Sequence, residues 1–320
     1  MTAVLRSYEK IGAVGRLAQL VARFLHTEEV IGSSPVSPTM TTQSAPSESV
    51  VVTGASTGIG RATVDELVAH GFHIWAAVRK QSDADELITQ HGTAVTPLLL
   101  DLLDHASVRA AGERVCTAGP LRALVNNAGI ALPAPLEVIP IDVFERQLDI
   151  NVVGQLLVTQ VMLPALLAHG DARIVFIGSI GGRISAPVLG AYHASKHAVI
   201  ALADSFRAEL APYRVRVSLI EPGVIATPIW STAAAAGSDV MALMPKDHPR
   251  YAAQIAGVSK SAKNGATGAP ASTVARAVRR AIVSRRPRPR HVVGSDARIV
   301  AAAVRILPFR AIYRVTAGRS

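Results

Sequence analysis

Three consecutive β-branched residues, Val50-Val51-Val52, run straight into Thr53-Gly54-Ala55-Ser56-Thr57-Gly58-Ile59-Gly60. An amphipathic stretch follows, with Ala62, Val64, Leu67 and Val68 apolar. A short uninterrupted apolar run suits a parallel strand that is buried on both faces. Glycines let the backbone turn tightly and come close to a pyrophosphate, and the helix beyond offers unpaired N–H groups and the positive end of its dipole. Strand, glycine-rich turn and helix together predict the first unit of a dinucleotide-binding α/β fold. The spacing is GxxxGxG and not GxGxxG; taken alone, it also fits an ordinary strand-to-helix turn.

The rest of the chain alternates as a doubly wound parallel sheet should, with strands expected over 72–78, 94–100, 121–125, 173–177 and 214–220, and a last one at His291-Val292-Val293-Gly294. One α/β domain over 48–295 is expected. Hydrophobic residues make up 49% of the chain but aromatics only 4%, so Ala, Val, Leu and Ile must fill the core. Cys116 is the single cysteine, which excludes an internal disulfide and any CxxC metal or redox motif. A reducing, cytoplasmic setting is the natural reading. No uninterrupted apolar run approaches the eighteen or so residues of a membrane span. The net charge of +10 is confined to one end: residues 276–320 carry 12 arginines against one acid, whereas residues 40–275 carry 17 basic and 19 acidic side chains. A fold-wide footprint for nucleic acid is therefore absent.

The chemistry is expected near Gly178-Ser179 and, thirteen residues later, Tyr192-His193-Ala194-Ser195-Lys196. Helical spacing puts Tyr192 and Lys196 on one face, a turn apart. A phenol with its ordinary pKa of about 10 is a poor base near neutrality. An ammonium beside it, with the positive charge of an oxidised nicotinamide, favours phenolate and lowers that value. Tyr192 can then take the proton of an alcohol as hydride leaves, or return it to an alkoxide. Ser179 can stabilise charge on the substrate oxygen, or simply cap a helix. His193 shows no role beyond packing or a surface position. Arg79, after the second strand, suits a 2′-phosphate where an acid would suit a free ribose; a solvated strand-end arginine is the plain alternative.

The order of TGxxxGxG, Asn126-Asn127-Ala128-Gly129, Asn151, Ser179 and the Tyr192/Lys196 pair resembles the short-chain dehydrogenase/reductase family over roughly residues 48–230. The resemblance implies a Rossmann fold and hydride transfer between a nicotinamide and a carbonyl or alcohol carbon. It implies that Gly54, Ser56, Thr57, Gly58, Ile59 and Gly60 hold the cofactor phosphates. Asp101 and Leu102 would touch adenine, and Asn127, Ala128 and Gly129 would line the cofactor. Lys196 would bind the nicotinamide ribose, and Asn151 would hold a water linking Lys196 to solvent. Pro222-Gly223 would cross the nicotinamide, with Thr227 reaching its carboxamide. NADP(H) is the preferred cofactor and NAD(H) an open one, because Thr57 stands in the glycine loop where many NADP-using relatives carry a basic residue. Dimers or tetramers are also implied.

Val188 and Leu189, just before Tyr192, favour an apolar substrate, as does a lid expected over 231–270 with Met241, Leu243 and Met244 as anchors. A hydrophobic secondary alcohol and its ketone, or an alcohol/aldehyde pair, is the expected substrate class. The PRxR run before the final strand is similar to the retinol and hydroxysteroid dehydrogenase side of the family. Residues 296–320 read as a basic amphipathic helix begun by Asp296, either packed on the pocket or a partner subunit, or in peripheral contact with a membrane. At the other end, residues 1–47 read as an extension; the stretch 15–39 resembles the conceptual translation of a transfer-RNA gene, which makes Met40 the expected start. Two rival functions are a catalytically idle NADP-binding regulator and a basic-tail membrane or nucleic-acid binder.

Overall fold

Val50, Val51 and Val52 form the fully buried middle of strand β1 (Ser49–Thr53). The computed structural model describes residues 48–229, 231–233, 235, 237, 240, 251–256 and 268–316. The expectations for residues 1–47, for a start at Met40 and for Met241, Leu243 and Met244 lie outside the described residues. β1 pairs in parallel with β2 (His73–Val78) and with β4 (Ala123–Asn126). β3 (Val95–Leu99), β5 (Arg173–Ile177), β6 (Arg216–Pro222) and β9 (Arg290–Val293) complete a seven-stranded parallel sheet in the order β3-β2-β1-β4-β5-β6-β9. Two short segments, β7 (Ile225–Ala226) and β8 (Ala269–Pro270), pair beside it. The chain moves outward from β1 to β3 and then returns to β4 beside β1. This reversal opens a crevice at the carboxyl ends of β1 and β4, where such sheets bind ligands.

Side chains alternate along each strand, so β1 feeds two cores. Val51 joins the core under α3 (His105–Ala118), α5 (Gly154–His169) and α6 (Gly190–Leu210). Val50 and Val52 join the core under α1 (Gly58–Val68), α2 (Gln81–His91) and α7 (Ala271–Val283). Each fully buried Val or Leu contributes about 1.5–3 kcal/mol of transfer free energy. α4 (Ile141–Leu148) continues through a π-helical turn, Asp149–Val153, into α5. Within the continuous helical stretch Ile141–His169, an 18-residue window has a mean hydropathy of 1.7, enough by length and composition to cross a membrane. Half of it is buried against the rest of the protein, and α5 packs on α3 and β4, so burial in the α/β layer accounts for its apolarity.

At the opposite edge from the crevice, three arginines converge on Asp171. Arg173 Nη1 lies 2.9 Å from Asp171 Oδ1, Arg122 Nη1 3.2 Å from Oδ2, and Arg216 also pairs with Oδ1. Arg122 and Arg173 additionally donate to the carbonyls of Ile282 and Ser284 at 2.9 Å, which fastens the end of α7 beneath the sheet.

After β9, the chain forms α8 (Ser295–Ile306), which stops ahead of Pro308, and a further helix, α9 (Phe309–Thr316), follows within the stretch 296–320 read from sequence as one helix. Asp296 does not begin α8. The N-cap is Gly294, and the Asp296 carboxylate instead accepts the Val224 N–H at 2.7 Å. That bond crosses to the turn after β6 because Gly294, at φ +110°, carries the chain back past Gly223.

Candidate active site

The glycine loop is shaped by main chain touching main chain. A Cβ on Gly60 would lie 1.9 Å from the Gly54 carbonyl oxygen and 2.6 Å from Asn127 Nδ2, so α1 can start this close to the loop only at glycine. Gly58 has φ +55°, and a Cβ there would come within 3.2 Å of Thr227. Thr57 occupies the N-cap of α1 without a side-chain cap bond. First-turn N–H groups of such a helix remain free to meet an anion.

The Asn126–Gly129 segment braces this loop. Thr53 Oγ1 donates to the Val125 carbonyl at 3.3 Å and accepts the N–H groups of Asn127 and Ala128 at 2.9 and 3.0 Å. Asn127 Nδ2 donates back to the carbonyls of Thr53 and Gly54 at 2.8 and 3.1 Å. Ala55 N–H is held by the Ala77 carbonyl at 3.1 Å, which sets the loop against β2 and the exposed Arg79 just past it. After β3, Leu102 is buried against Gly154, and the Asp101 carboxylate accepts the Leu103 N–H at 3.0 Å. A cradle that a single Cβ would fill, at the uncapped start of a helix, fits the pyrophosphate of a dinucleotide.

Asn151, Ser179, Tyr192 and Lys196 are brought together at the carboxyl ends of β4 and β5. Ser179 ends β5 as the N-cap of a 3₁₀ turn, Ile180–Gly182, and its Oγ accepts the Gly181 N–H at 3.0 Å. The same hydroxyl is hydrogen-bonded with Tyr192. Lys196 Nζ stands 5.8 Å from the centre of the Tyr192 ring and donates to the Ile177 carbonyl at 3.0 Å. The π-helical turn aims Asn151 at the strand end after Gly129: Oδ1 accepts the Ile130 N–H at 2.8 Å, and Nδ2 donates to the Ile130 carbonyl at 2.9 Å and to Ser195 Oγ at 3.0 Å. With both amide hydrogens committed, that side chain serves as a strut. π-turns recur at functional sites for this ability to re-aim one residue.

Burial dominates the titration of this group. It pushes the Tyr192 phenol above its usual value, with the Ser179 hydrogen bond opposing, and it pushes Lys196 down to about 8. The depression of Tyr192 expected from Lys196 together with an oxidised nicotinamide is not seen in the protein alone, where burial of the phenol prevails; the Ile177 carbonyl takes one of the three ammonium donors and leaves two for other partners. His193 is buried edge-on to Tyr192 at 5.9 Å, with Nδ1 2.7 Å from the Gly181 carbonyl. Its part is to set the ring and the turn against each other.

Ahead of Tyr192, Val188 is buried with φ +68°, a conformation that costs a β-branched residue of order 1–3 kcal/mol. Its carbonyl accepts the Ala134 N–H at 2.7 Å, which holds the bend, and Leu189 is the N-cap of α6, one turn ahead of the Tyr192 helix face. Leu136, largely exposed, sits against Gly190 and adds to this apolar rim. On the far side, Glu221 is wholly buried and pairs with Arg183 through both carboxylate oxygens, at 2.6 and 2.5 Å. This joins the Ser179 turn to the strand end carrying Pro222-Gly223. Sequence reasoning missed the parts played by Ser195 and the Arg183–Glu221 pair, and it read Asp296 as a helix start instead of a partner for Val224. Ser195 had a signal, one residue before Lys196 on the helix; the Arg183–Glu221 and Asp296–Val224 contacts span 38 and 72 residues and left none.

The sequence profile of the short chain dehydrogenase family matches residues 48–237. An NADPH-dependent 3-dehydrocapnine reductase from Ornithobacterium rhinotracheale is 34% identical over 273 residues, covering 83% of this chain and 94% of that protein. The uncharacterized oxidoreductase YbbO of Escherichia coli (strain K12) is 36% identical over 273 residues, 85% of this chain and 94% of that one. Among solved structures, a short chain dehydrogenase/reductase from Burkholderia phymatum in complex with NAD superposes with a TM-score of 0.70 at 26% identity, covering 81% of this chain and 92% of the other. A parallel sheet with this strand order and a profile match across its glycine loop and Tyr192 helix leave one assignment: the chain belongs to the short-chain dehydrogenase family of oxidoreductases.

Proposed function

We propose that the chain is an NADP(H)-dependent enzyme that interconverts a hydrophobic secondary alcohol and its ketone, or a related alcohol/aldehyde pair. The observation that carries this reading is the convergence of Ser179, Tyr192 and Lys196 at the carboxyl end of β5, facing Gly129. When bound, the nicotinamide supplies the acceptor or donor of the hydride. Gly54, Ser56, Thr57, Gly58, Ile59 and Gly60 would hold its pyrophosphate, Asp101 and Leu102 its adenine, and Pro222, Gly223 and Thr227 its nicotinamide end, with Asn127, Ala128 and Gly129 along one wall.

In the oxidative direction, Ser179 Oγ hydrogen-bonds the substrate oxygen and Tyr192 takes the hydroxyl proton as the carbon gives up its hydride. In reduction, Tyr192 returns a proton to the oxygen. Lys196 carries its charge below about pH 8, where it stabilises phenolate and binds the ribose hydroxyls. Asn151 fixes Ile130 and Ser195 around that lysine; with its amide hydrogens used, any water it holds must rest on its oxygens. Val188, Leu189 and Leu136 supply apolar surface and no charged anchor, which supports a lipophilic substrate. Exposed Arg79 after β2, and the cofactor named for the Ornithobacterium reductase, support NADP(H) over NAD(H).

Titration of the purified chain with NADPH and NADH tests the cofactor, followed by turnover on a panel of ketones and steroids. NADPH should bind at least about tenfold more tightly, and Arg79→Ala should erase most of that difference. Tyr192→Phe should lower kcat by about 10²–10⁴ while leaving NADPH affinity intact. Equal NADH binding would make Arg79 a surface residue, and an unchanged kcat in Tyr192→Phe would remove the catalytic reading.

A further inference from the structure

α8 offers solvent a mixed face. One arc of the helix carries Arg298 and Arg305 on one side, Ala302 in the middle, and Ile299 and Ile306 on the other; all five are exposed or partly so. Ile299 is 70% and Ile306 77% exposed. Ala297 is the one buried residue of α8. Leu307 and Phe309, 45% and 80% exposed, extend the apolar strip across the α8–α9 junction. Arg310 and Arg314, four apart on α9, extend the basic one.

This face adjoins the active site. α8 packs against the Ile180–Gly182 turn whose cap is Ser179, and Asp296 in its first turn holds the Val224 N–H beside Pro222-Gly223. Val224 is itself exposed.

We propose that α8 and α9 dock the enzyme on an anionic lipid surface, with the isoleucine side of the arc inserted at the headgroup–acyl boundary and the arginines on the lipid phosphates. A basic strip flanking a contiguous apolar one is the pattern that lies in such an interface, held by buried apolar area together with charge attraction. A second copy of this chain is the poorer occupant, because a two-fold contact through this face would set its arginines against arginines or isoleucines, with no acid in the strip to pair them. A nucleic acid would satisfy the arginines and leave the isoleucines in water. Docking in this orientation turns the Ser179 side of the site toward the bilayer, from which a lipophilic alcohol or ketone can enter.

The test is sedimentation of the full chain with phosphatidylcholine vesicles, with and without phosphatidylglycerol, at low and high salt. It reads binding and not turnover, so it is independent of the proposed reaction. The chain should sediment with the anionic vesicles and be largely released by salt. The double variants Ile299→Glu/Ile306→Glu and Arg298→Glu/Arg305→Glu should each weaken binding at least about tenfold, without change in NADPH binding. Failure to bind anionic vesicles at low salt would overturn the proposal, as would unchanged binding in both double variants. So would two other outcomes: loss of a dimer on light scattering in Ile299→Glu/Ile306→Glu with no vesicle binding by the parent, or binding to duplex DNA in place of vesicles.

Discussion

The two sides of the cleft are held together by different means. From β1 to β4, main chain approaches main chain: the start of α1 lies against the Gly54 carbonyl at Gly60, and Asn127 ties two successive carbonyls of the loop. From β6 to α8, side chains reach across gaps: Arg183 to Glu221 and Asp296 to Val224; at the far edge of the sheet Arg173 reaches Ser284 in the same way. A main-chain contact leaves no slack, whereas a reaching side chain can be replaced by another rotamer, another residue or a water. The first side should therefore fail abruptly on small changes, and the second should degrade by steps.

Gly60→Ala is the sharpest way to break that comparison. Its Cβ would meet the Gly54 oxygen and Asn127, neither of which can yield without moving β1. Overpacking of this kind costs about 3 kcal/mol, or roughly 10 °C in the melting temperature of a domain this size. NADPH binding should fall by more than about a hundredfold, since the loop proposed to hold its pyrophosphate must itself shift. Differential scanning fluorimetry and cofactor titration read both effects; a Gly60→Ala variant that melts and binds like the parent would show the loop to be soft.

The same contrast explains what the sequence revealed. Where backbone must touch backbone, few residue types suffice and their spacing is rigid, so Thr53–Gly60, Asn127 and the Tyr192/Lys196 pair could be read directly, and so could every strand of the main sheet to within two or three residues. Arg183–Glu221 and Asp296–Val224 could not, because their partners are set by tertiary approach and no local spacing encodes it. Asp296 illustrates the trap: an acid ahead of an amphipathic run has the look of a helix cap, and here Gly294 takes that position and frees the carboxylate for the Val224 N–H after β6. The opposing effect of burial on Tyr192 was hidden for a related reason. Sequence gives the neighbour's charge and not the depth of burial, and burial prevails.

Asp171→Asn should have an intermediate effect. Its carboxyl is held well below the usual range, first by its hydrogen bond with Arg173 and then by Arg122 and Arg216. A depressed folded pKa contributes stability that is present above the unfolded value of about 3.9 and is lost as pH falls through the folded one. The parent should therefore lose stability below about pH 4 through this group, and Asp171→Asn should flatten that part of the profile. At neutral pH the variant leaves Arg173 buried without its counter-charge. Loss of a partner from a fully buried pair costs 3–5 kcal/mol, which the partial exposure of Asp171 reduces to about 2 kcal/mol. Urea unfolding at pH 7 and pH 3 measures this, and an equal loss at both would show the arginine cluster to be indifferent to the charge.

Asp296→Ala should be the mildest change, and it separates positioning from chemistry. It removes the acceptor of one N–H, on a half-exposed carboxylate, at a turn already fixed by the bond from Gly223 N–H to the Val293 carbonyl at 2.9 Å. A hydrogen bond of this kind contributes about 1 kcal/mol, which corresponds to about fivefold in an equilibrium constant. Because Val224 follows the turn proposed to cross the nicotinamide, that fivefold should appear in KM for NADPH, with kcat for a given ketone nearly unchanged. Asp296→Asn keeps an acceptor oxygen at the same reach and should recover most of the loss. A fall in kcat at constant KM would place Asp296 in the chemistry, and an Asn variant as impaired as the Ala variant would show that the charge matters and the hydrogen bond does not. Either result would erase the distinction drawn between the two sides of the cleft, because a single reaching side chain would then be as indispensable as Gly60.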